Sequence, residues 1–331
     1  MQVAVLGAGA WGTALAKVLA DKDNPTLLWS HREDHARAIN EERVNHRYLS
    51  VARLPGMLRA TADMEEALRD AELVVVVVPS HALRDVMRMA RPHVPSGALL
   101  CSATKGIENE SLMLMSDVLL DELGHHALPR LTYLSGPSFA KEVALGMPTA
   151  VVVAGASKRE THAVQHAFAT ERLRVYSSTD VTGVELGGAL KNVMAIAAGA
   201  VDGLGFGHNA RAGMITRGLV EMGRVASKMG ANPLTLAGLS GLGDLILTCT
   251  GDLSRNRTVG FELGRGRTLD DILATLGHVA EGVKTTKSAY DLGKKLEVEM
   301  PITNEVYRVL YEGKSPKQAV TDIMTRPLTH E

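Results

Sequence analysis

The chain is poor in aromatic residues, in cysteine and in any excess of charge. Only 4% of its 331 residues are aromatic, and the formal net charge is −1 at pH 7. That leaves neither a basic footprint nor a set of stacking platforms, so nucleic acid is not an expected partner. The two cysteines, Cys101 and Cys249, stand outside any CxxC pattern and outside metal-ligand spacing with histidine. Free thiols in a reducing compartment are the simplest reading. The 12 histidines form no HExxH pattern. His125 and His126 are adjacent, which would turn their side chains apart on a helix, so no metal is expected. No apolar run approaches the length of a membrane span. The first residues also lack the basic region and long apolar stretch of a signal peptide. The expectation is a soluble cytoplasmic protein without membrane insertion.

The residues that are present describe an ordinary globular interior. Hydrophobic residues make up 45% of the chain and charged residues 22%. The length is long for one core and comfortable for two domains. Up to about residue 180, strand-like and helix-like segments alternate, the pattern of a doubly wound parallel sheet. Strands are predicted at 2–6, 26–30, 58–61, 73–78, 98–103, 131–135, 149–154 and 172–176. Segments 63–69, 81–90 and 111–122 between them have helical composition. Thr182-Gly183-Val184-Glu185 has the form of a capping box. Strand signals then nearly vanish. Helices are predicted over 182–202, 209–229, 254–264, 282–296 and 302–311, with a glycine-rich break at 238–243. The first of these is apolar enough to be central. The expected fold is α/β: a Rossmann-like doubly wound sheet over 1–181, binding a dinucleotide, then an all-α domain over 182–331. A cleft at the strand C-termini is where ligands are expected.

Residues 7–12 read Gly-Ala-Gly-Ala-Trp-Gly, directly after the apolar run Val3 to Leu6. A GxGxxG pattern alone is weak, but this one sits between a predicted strand and a predicted helix, as its mechanism requires. Gly7 would allow the turn, Gly9 the approach of a pyrophosphate, and Gly12 close helix–strand packing. The helix start would face the phosphates with free N–H groups and a positive dipole end. About twenty residues on, where NAD sites carry an acid for the ribose 2′-OH, the chain has His31-Arg32. A cation there favours a 2′-phosphate. The expected cofactor is NADP(H) in preference to NAD(H), with NAD(H) not excluded.

Four further segments carry chemistry. Lys105-Gly106-Ile107-Glu108 and Ser135-Gly136-Pro137-Ser138-Phe139-Ala140 follow the fifth and sixth predicted strands. Lys191 stands among small apolar neighbours in Glu185 to Asn192; such a lysine is usually a snorkelling surface group, but the tight apolar surroundings and two nearby glycines favour a functional buried ammonium. Gly241-Leu242-Gly243-Asp244 is followed by Ser254-Arg255-Asn256-Arg257, with Ser254 as a helix cap and Arg255 and Asn256 in the first turn. Such a helix start favours an anion.

With these motifs the chain resembles the soluble NAD(P)-dependent glycerol-3-phosphate dehydrogenase family over essentially its whole length. The resemblance rests on GAGAWGTA at 7–14, KGIE at 105–108, SGPSFAKE at 135–142 and ELGGALKN at 185–192. It continues with GLGDL at 241–245, SRNR at 254–257 and VAEG at 279–282. It implies reversible reduction of dihydroxyacetone phosphate to sn-glycerol 3-phosphate, the backbone precursor of membrane phospholipids, and a homodimer. It implies Lys191 as the catalytic lysine, and Lys105, Gly136, Ser138, Asp244, Ser254, Arg255 and Asn256 at the substrate. It implies cofactor contacts from Ala10, Trp11, His31, Arg32, Tyr48, Lys105, Ala140, Arg255, Val279 and Glu281, beside Gly7, Gly9 and Gly12. Two other readings remain open. One is a β-hydroxyacid or 6-phosphogluconate-type dehydrogenase, whose carboxylate substrate would suit the same helix start. The other is a non-catalytic dinucleotide sensor, which would need the glycine loop but no lysine in an apolar helix.

Overall fold

A computed structural model describes residues 1–276, 280–328 and 330. The chain divides into two compact units. The first comprises Met1–Lys105 and Met113–Val184; the second comprises Gly106–Leu112 and the chain from Glu185 onward.

The first unit is built on eight strands: β1 (Val3–Leu6), β2 (Thr26–Trp29), β3 (Leu58–Thr61), β4 (Leu73–Val76), β5 (Leu99–Ser102), β6 (Leu131–Ser135), β7 (Thr149–Gly155) and β8 (Leu173–Ser178). They lie side by side in the order β3-β2-β1-β4-β5-β6-β7-β8. All eight predicted strands are present. Their apolar runs reflect burial on both faces. Val3, Val5, Leu28, Leu58, Val75, Leu134, Val151 and Val153 face one layer, with α1 (Ala10–Ala20) and α7 (Lys158–Phe168). Ala4, Leu6, Val74, Val76, Leu100 and Tyr133 face the other, with α3 (Met64–Leu68), α4 (Ser80–Ala90) and α5 (Met115–Leu123). Odd and even neighbours thus part to opposite sides, as the pleat requires. One expectation fails: the sheet is not wholly parallel, because β7 runs antiparallel to β6 and parallel to β8. The short α6 (Ala140–Ala144) between β6 and β7 turns the chain back instead of crossing over the sheet. The strand order reverses beside β1, so the loop after β1 lies at the switch point of the sheet, where ligands bind in such folds.

Among the described residues the second unit is helical. It holds most of α8 (Val181–Gly203), then α9 (Gly207–Lys228), α10 (Pro233–Leu236), α11 (Asp244–Thr250) and α12 (Arg255–Gly264). Next come α13 (Leu269–Leu276), α14 (Glu281–Leu296), α15 (Pro301–Tyr311) and α16 (Pro316–Met324). α8 is central, as expected: Leu186, Ala189, Leu190, Val193, Met194 and Ala195 are fully buried. Its cap is not the expected box. The helix begins one residue earlier, and Asp180 Oδ1 accepts from the Gly183 N–H at 2.9 Å. Asp caps a helix start well and adds favourable charge there. The glycine-rich break at 238–243 is likewise not open loop. Leu239–Gly243 is a π-helical turn leading into α11.

α8 and α12 cross at backbone contact. A Cβ on Gly199 would meet Arg257 O at 2.0 Å, and one on Gly260 would meet Ile196 O at 1.9 Å. Gly203 and Gly264 continue the same seam. Arg257 locks it, donating through Nε and Nη2 to Asp202 Oδ2 at 3.1 and 2.9 Å.

Two helical stretches pass a length and hydropathy test for membrane spans, Val181–Gly203 and Pro233–Thr250, with mean hydropathy 1.3 and 1.2. They correct the expectation that no apolar run approaches that length; both are Ala-, Gly- or Leu-rich and interrupted by charge. In the first, 89% of the apolar window is buried inside the fold, which accounts for its composition; in the second, 39% is buried.

Candidate active site

In the first unit the glycine loop has the form a pyrophosphate needs. Gly7 adopts φ +121°, and a Cβ there would strike Val77 O at 2.3 Å. A Cβ on Gly12 would strike Gly7 O at 1.9 Å, so the helix and the turn touch. Beside Gly9 there is open space, with nothing within 4 Å of a built Cβ. Ala10 opens α1, and Trp11 is half-buried against the sheet's core. The Trp11 indole nitrogen is buried and has no hydrogen-bond partner within the protein. This cradle fits a dinucleotide.

At the end of β2, His31 and Arg32 are both exposed. Arg32 is held by Asp34 through two bonds, Nε to Oδ1 at 3.0 Å and Nη2 to Oδ2 at 2.6 Å. Arg32 in turn holds the Asp34 carboxyl down to about 2. Tyr48 lies edge-on to His35, with ring centroids 5.3 Å apart, and Arg47 stands over its ring. After β5 and β6, Lys105 Nζ donates to Gly136 O at 3.3 Å, and Ser138 Oγ donates to the same carbonyl at 2.9 Å. Lys105, Gly136 and Ser138 are therefore one cluster. Ala140 begins α6, which packs on α1.

In the second unit Lys191 is buried on α8, with 7% of its surface exposed. Its ammonium lies 2.9 Å from Asp244 Oδ1 and donates to Thr248 Oγ1 at 2.8 Å. Thr248 in turn donates to the Asp244 main-chain carbonyl at 2.6 Å. Both partners stand one turn apart on α11, directly after the π-helical turn. A buried ammonium needs such company, because an unpaired charge in apolar surroundings is costly. Gly187, one turn before Lys191, lets α8 approach the π turn: a Cβ there would meet Ser240 O at 2.5 Å. Burial pushes the neighbouring Cys249 thiol up to about 12, so it stays protonated.

Ser254 caps α12, its Oγ accepting from Arg257 N at 3.2 Å. Arg255 is exposed in the first turn. The two acids that could have claimed it are engaged by other arginines: Asp252 with Arg257 at 3.1 Å, and Glu262 with Arg267 at 3.3 Å. Asn256 Nδ2 donates to Asn192 Oδ1 at 2.9 Å, and its Oδ1 accepts from Gly282 N at 2.9 Å. Asn256 thus ties together α8, α12 and α14 beside Lys191. Glu281 opens α14. Val279 lies outside the described residues.

Sequence reasoning missed Thr248 and Asn192. Thr248 falls four residues after Asp244, on the same helical face, a spacing that could have drawn attention to it. Asn192 directly follows the lysine, and only the α8–α12 crossing reveals its partner.

Comparison with known proteins matches residues 2–161 to the N-terminal and residues 180–321 to the C-terminal model of NAD-dependent glycerol-3-phosphate dehydrogenase. The chain belongs to that family. A glycerol-3-phosphate dehydrogenase [NAD(P)+] from Citrifermentans bemidjiense is 52% identical over 330 residues, covering 100% of this chain and 98% of the relative. One from Desulfotalea psychrophila is 53% identical over 332 residues, covering 99% and 98%. The crystal structure of a glycerol-3-phosphate dehydrogenase from Coxiella burnetii superposes with a TM-score of 0.95 at 42% identity, covering 98% of this chain and 99% of that one. As a glycerol-3-phosphate dehydrogenase family member, the chain is an NAD(P)-dependent oxidoreductase. Membership removes the sensor and the hydroxyacid dehydrogenase as competing readings.

Proposed function

We propose that the chain performs its family's reaction with Lys191 as the proton donor and acceptor. The reaction is the reversible reduction of dihydroxyacetone phosphate to sn-glycerol 3-phosphate, which supplies the backbone of phospholipids. Bound NAD(P)H supplies the hydride that reduces the ketone carbon. As the carbonyl bond opens, charge builds on its oxygen, and the Lys191 ammonium stabilises that charge and delivers the proton. In the reverse direction the neutral amine takes the proton from the alcohol. The observation that carries this reading is the buried Lys191 ammonium, aimed by Asp244 and Thr248 from one face of α11.

Arg255, Ser254 and the start of α12 hold the substrate phosphate, with Asn256 bracing them. Lys105, Gly136 and Ser138 also contact the substrate. Gly7, Gly9, Ala10, Trp11, Gly12, His31, Arg32, Tyr48, Lys105, Ala140, Arg255, Val279 and Glu281 contact the cofactor. NADP(H) is preferred, through Arg32. The enzyme works as a homodimer in the cytoplasm, a compartment in keeping with two buried, unpaired thiols.

The test is NADPH oxidation with dihydroxyacetone phosphate, followed by absorbance. Lys191→Ala should lower turnover about a hundred- to ten-thousandfold while its dissociation constant for NADPH stays within about threefold. Near-normal turnover in the variant would remove Lys191 from this role.

A further inference from the structure

Asn45 follows α2 (Glu33–Glu42), and no motif marks it. It is fully buried, a position that a primary amide tolerates only when its donors and acceptor are matched. They are. Nδ2 donates to Ala8 O at 3.0 Å and to Thr13 Oγ1 at 2.8 Å, reaching into the glycine loop and the first turn of α1. Oδ1 accepts from the Tyr48 N–H at 3.2 Å and lies 3.0 Å from His35 Nε2. The Ala8 carbonyl can only accept, which fixes which end of the amide faces it. His35 Nε2 therefore carries a proton and donates to Oδ1. The other ring nitrogen, Nδ1, lies 3.1 Å from Ser30 Oγ, and Ser30 Oγ accepts from the Arg32 N–H at 3.3 Å. Ser30 and His35 are buried as well. One hydrogen-bonded chain thus runs from the main chain of Arg32, at the end of β2, to the carbonyl of Ala8.

The direction of that last bond has a consequence for the loop. A trans peptide carries its C=O and N–H on opposite sides. With the Ala8 carbonyl drawn to Asn45, the Gly9 N–H is turned the other way. We propose that Asn45 is a positioning residue for the dinucleotide. It fixes the Ala8–Gly9 peptide so that the Gly9 N–H faces the pyrophosphate. Through His35 and Ser30 it keeps that loop in register with the strand end that receives the adenosine ribose. The proposal rests on the assignment of residues 7–12 as the pyrophosphate loop.

The experiment is titration of NADPH and NADH against wild type and variants by nicotinamide fluorescence, beside steady-state kinetics and the melting temperature of the nucleotide-free protein. Asn45→Asp has nearly the same shape but replaces the two Nδ2 N–H donors, one to the Ala8 carbonyl and one to Thr13 Oγ1, with none when ionised and a single O–H when protonated. It should weaken both nucleotides by the same factor, about ten- to a hundredfold. The KM for dihydroxyacetone phosphate, and kcat at saturating nucleotide, should stay within about threefold. His35→Gln keeps a donor for Oδ1 and should bind nucleotide within about threefold of wild type, whereas His35→Leu should weaken it about tenfold. The His35 pair decides the matter if Asn45→Asp fails to fold. A lower melting temperature with unchanged nucleotide affinity in Asn45→Asp, or in His35→Leu, would make the network merely structural and overturn the proposal. Failure of the wild type itself to bind either nucleotide would instead overturn the assignment of the loop.

Discussion

At the scale of single residues, the charges at the start of α12 and at the end of β2 are the informative ones. Arg255 stands exposed at a helix start, and the neighbouring acids belong to Arg257 and Arg267. Its guanidinium is matched to a phosphate in shape as well as charge. Arg255→Ala should therefore reduce kcat/KM for dihydroxyacetone phosphate about thirty- to a hundredfold, and for unphosphorylated dihydroxyacetone by no more than about threefold. Equal losses on the two ketones would show that Arg255 does not touch the phosphate. Arg32 poses the opposite problem, because Asp34 already grips it from two sides. A 2′-phosphate has to win the guanidinium from that carboxylate. Arg32→Ala should cut the ratio of NADPH to NADH efficiency about tenfold, and Asp34→Asn should raise it. An unchanged ratio in both variants would leave the nucleotide preference to other residues.

At the scale of elements, the seam between α8 and α12 sets where the Ser254–Asn256 turn lies relative to Lys191. Its glycines leave no room for a side chain. Gly260→Ala places a methyl group 1.9 Å from the Ile196 carbonyl, so the helices must part. The cost should be about 2–3 kcal/mol of stability, read as a lower urea midpoint at unchanged slope. The KM for dihydroxyacetone phosphate should rise with it. A variant as stable as wild type would mean that the seam yields without strain.

The elements were also where the sequence was most legible. The strands of the first unit announce themselves because burial on both faces leaves nothing but Val, Leu and Ala in runs such as Leu73 to Val76. The long helices do so by composition, a stretch rich in Ala, Gly, Leu and Met with few strand signals. The reversal of β7 was hidden, since a strand's composition does not record its direction; only the short link through α6 forces it. The π turn at Leu239–Gly243 was hidden because glycine in sequence reads as a break, while here Gly241 is required because a Cβ on it would meet the Leu236 carbonyl at 2.0 Å. Within the site, Lys191 and the Ser254 helix start were legible because an ion among small apolar residues and a capped first turn are local patterns. Thr248, Asn192 and Asn45 were not, because the contacts that give them their roles, with Lys191, Asn256 and the Ala8 carbonyl, join residues distant in sequence.

At the scale of the whole molecule, the two cysteines report on global unfolding. Cys101 and Cys249 are both buried, and burial pushes each thiol up to about 12. The reactive species is the thiolate, so at pH 8 the native protein should react with neither equivalent of a thiol reagent such as DTNB. Both should react once the chain is unfolded in guanidinium, at a rate that follows unfolding rather than the reagent. Rapid modification of one thiol in the native protein would reveal local opening of its unit.

The chain changes allegiance three times, after Lys105, after Leu112 and, in the middle of α8, after Val184. No single scission can therefore yield two self-contained halves. A fragment ending at Val184 would carry Gly106–Leu112 as a stray piece of the other unit's architecture, and the complementary fragment would lack it and begin inside a helix stripped of its Asp180 cap. Attempts to express the first unit alone, or to graft it onto a foreign partner, should reckon with a chain that leaves that unit and returns to it before Val184.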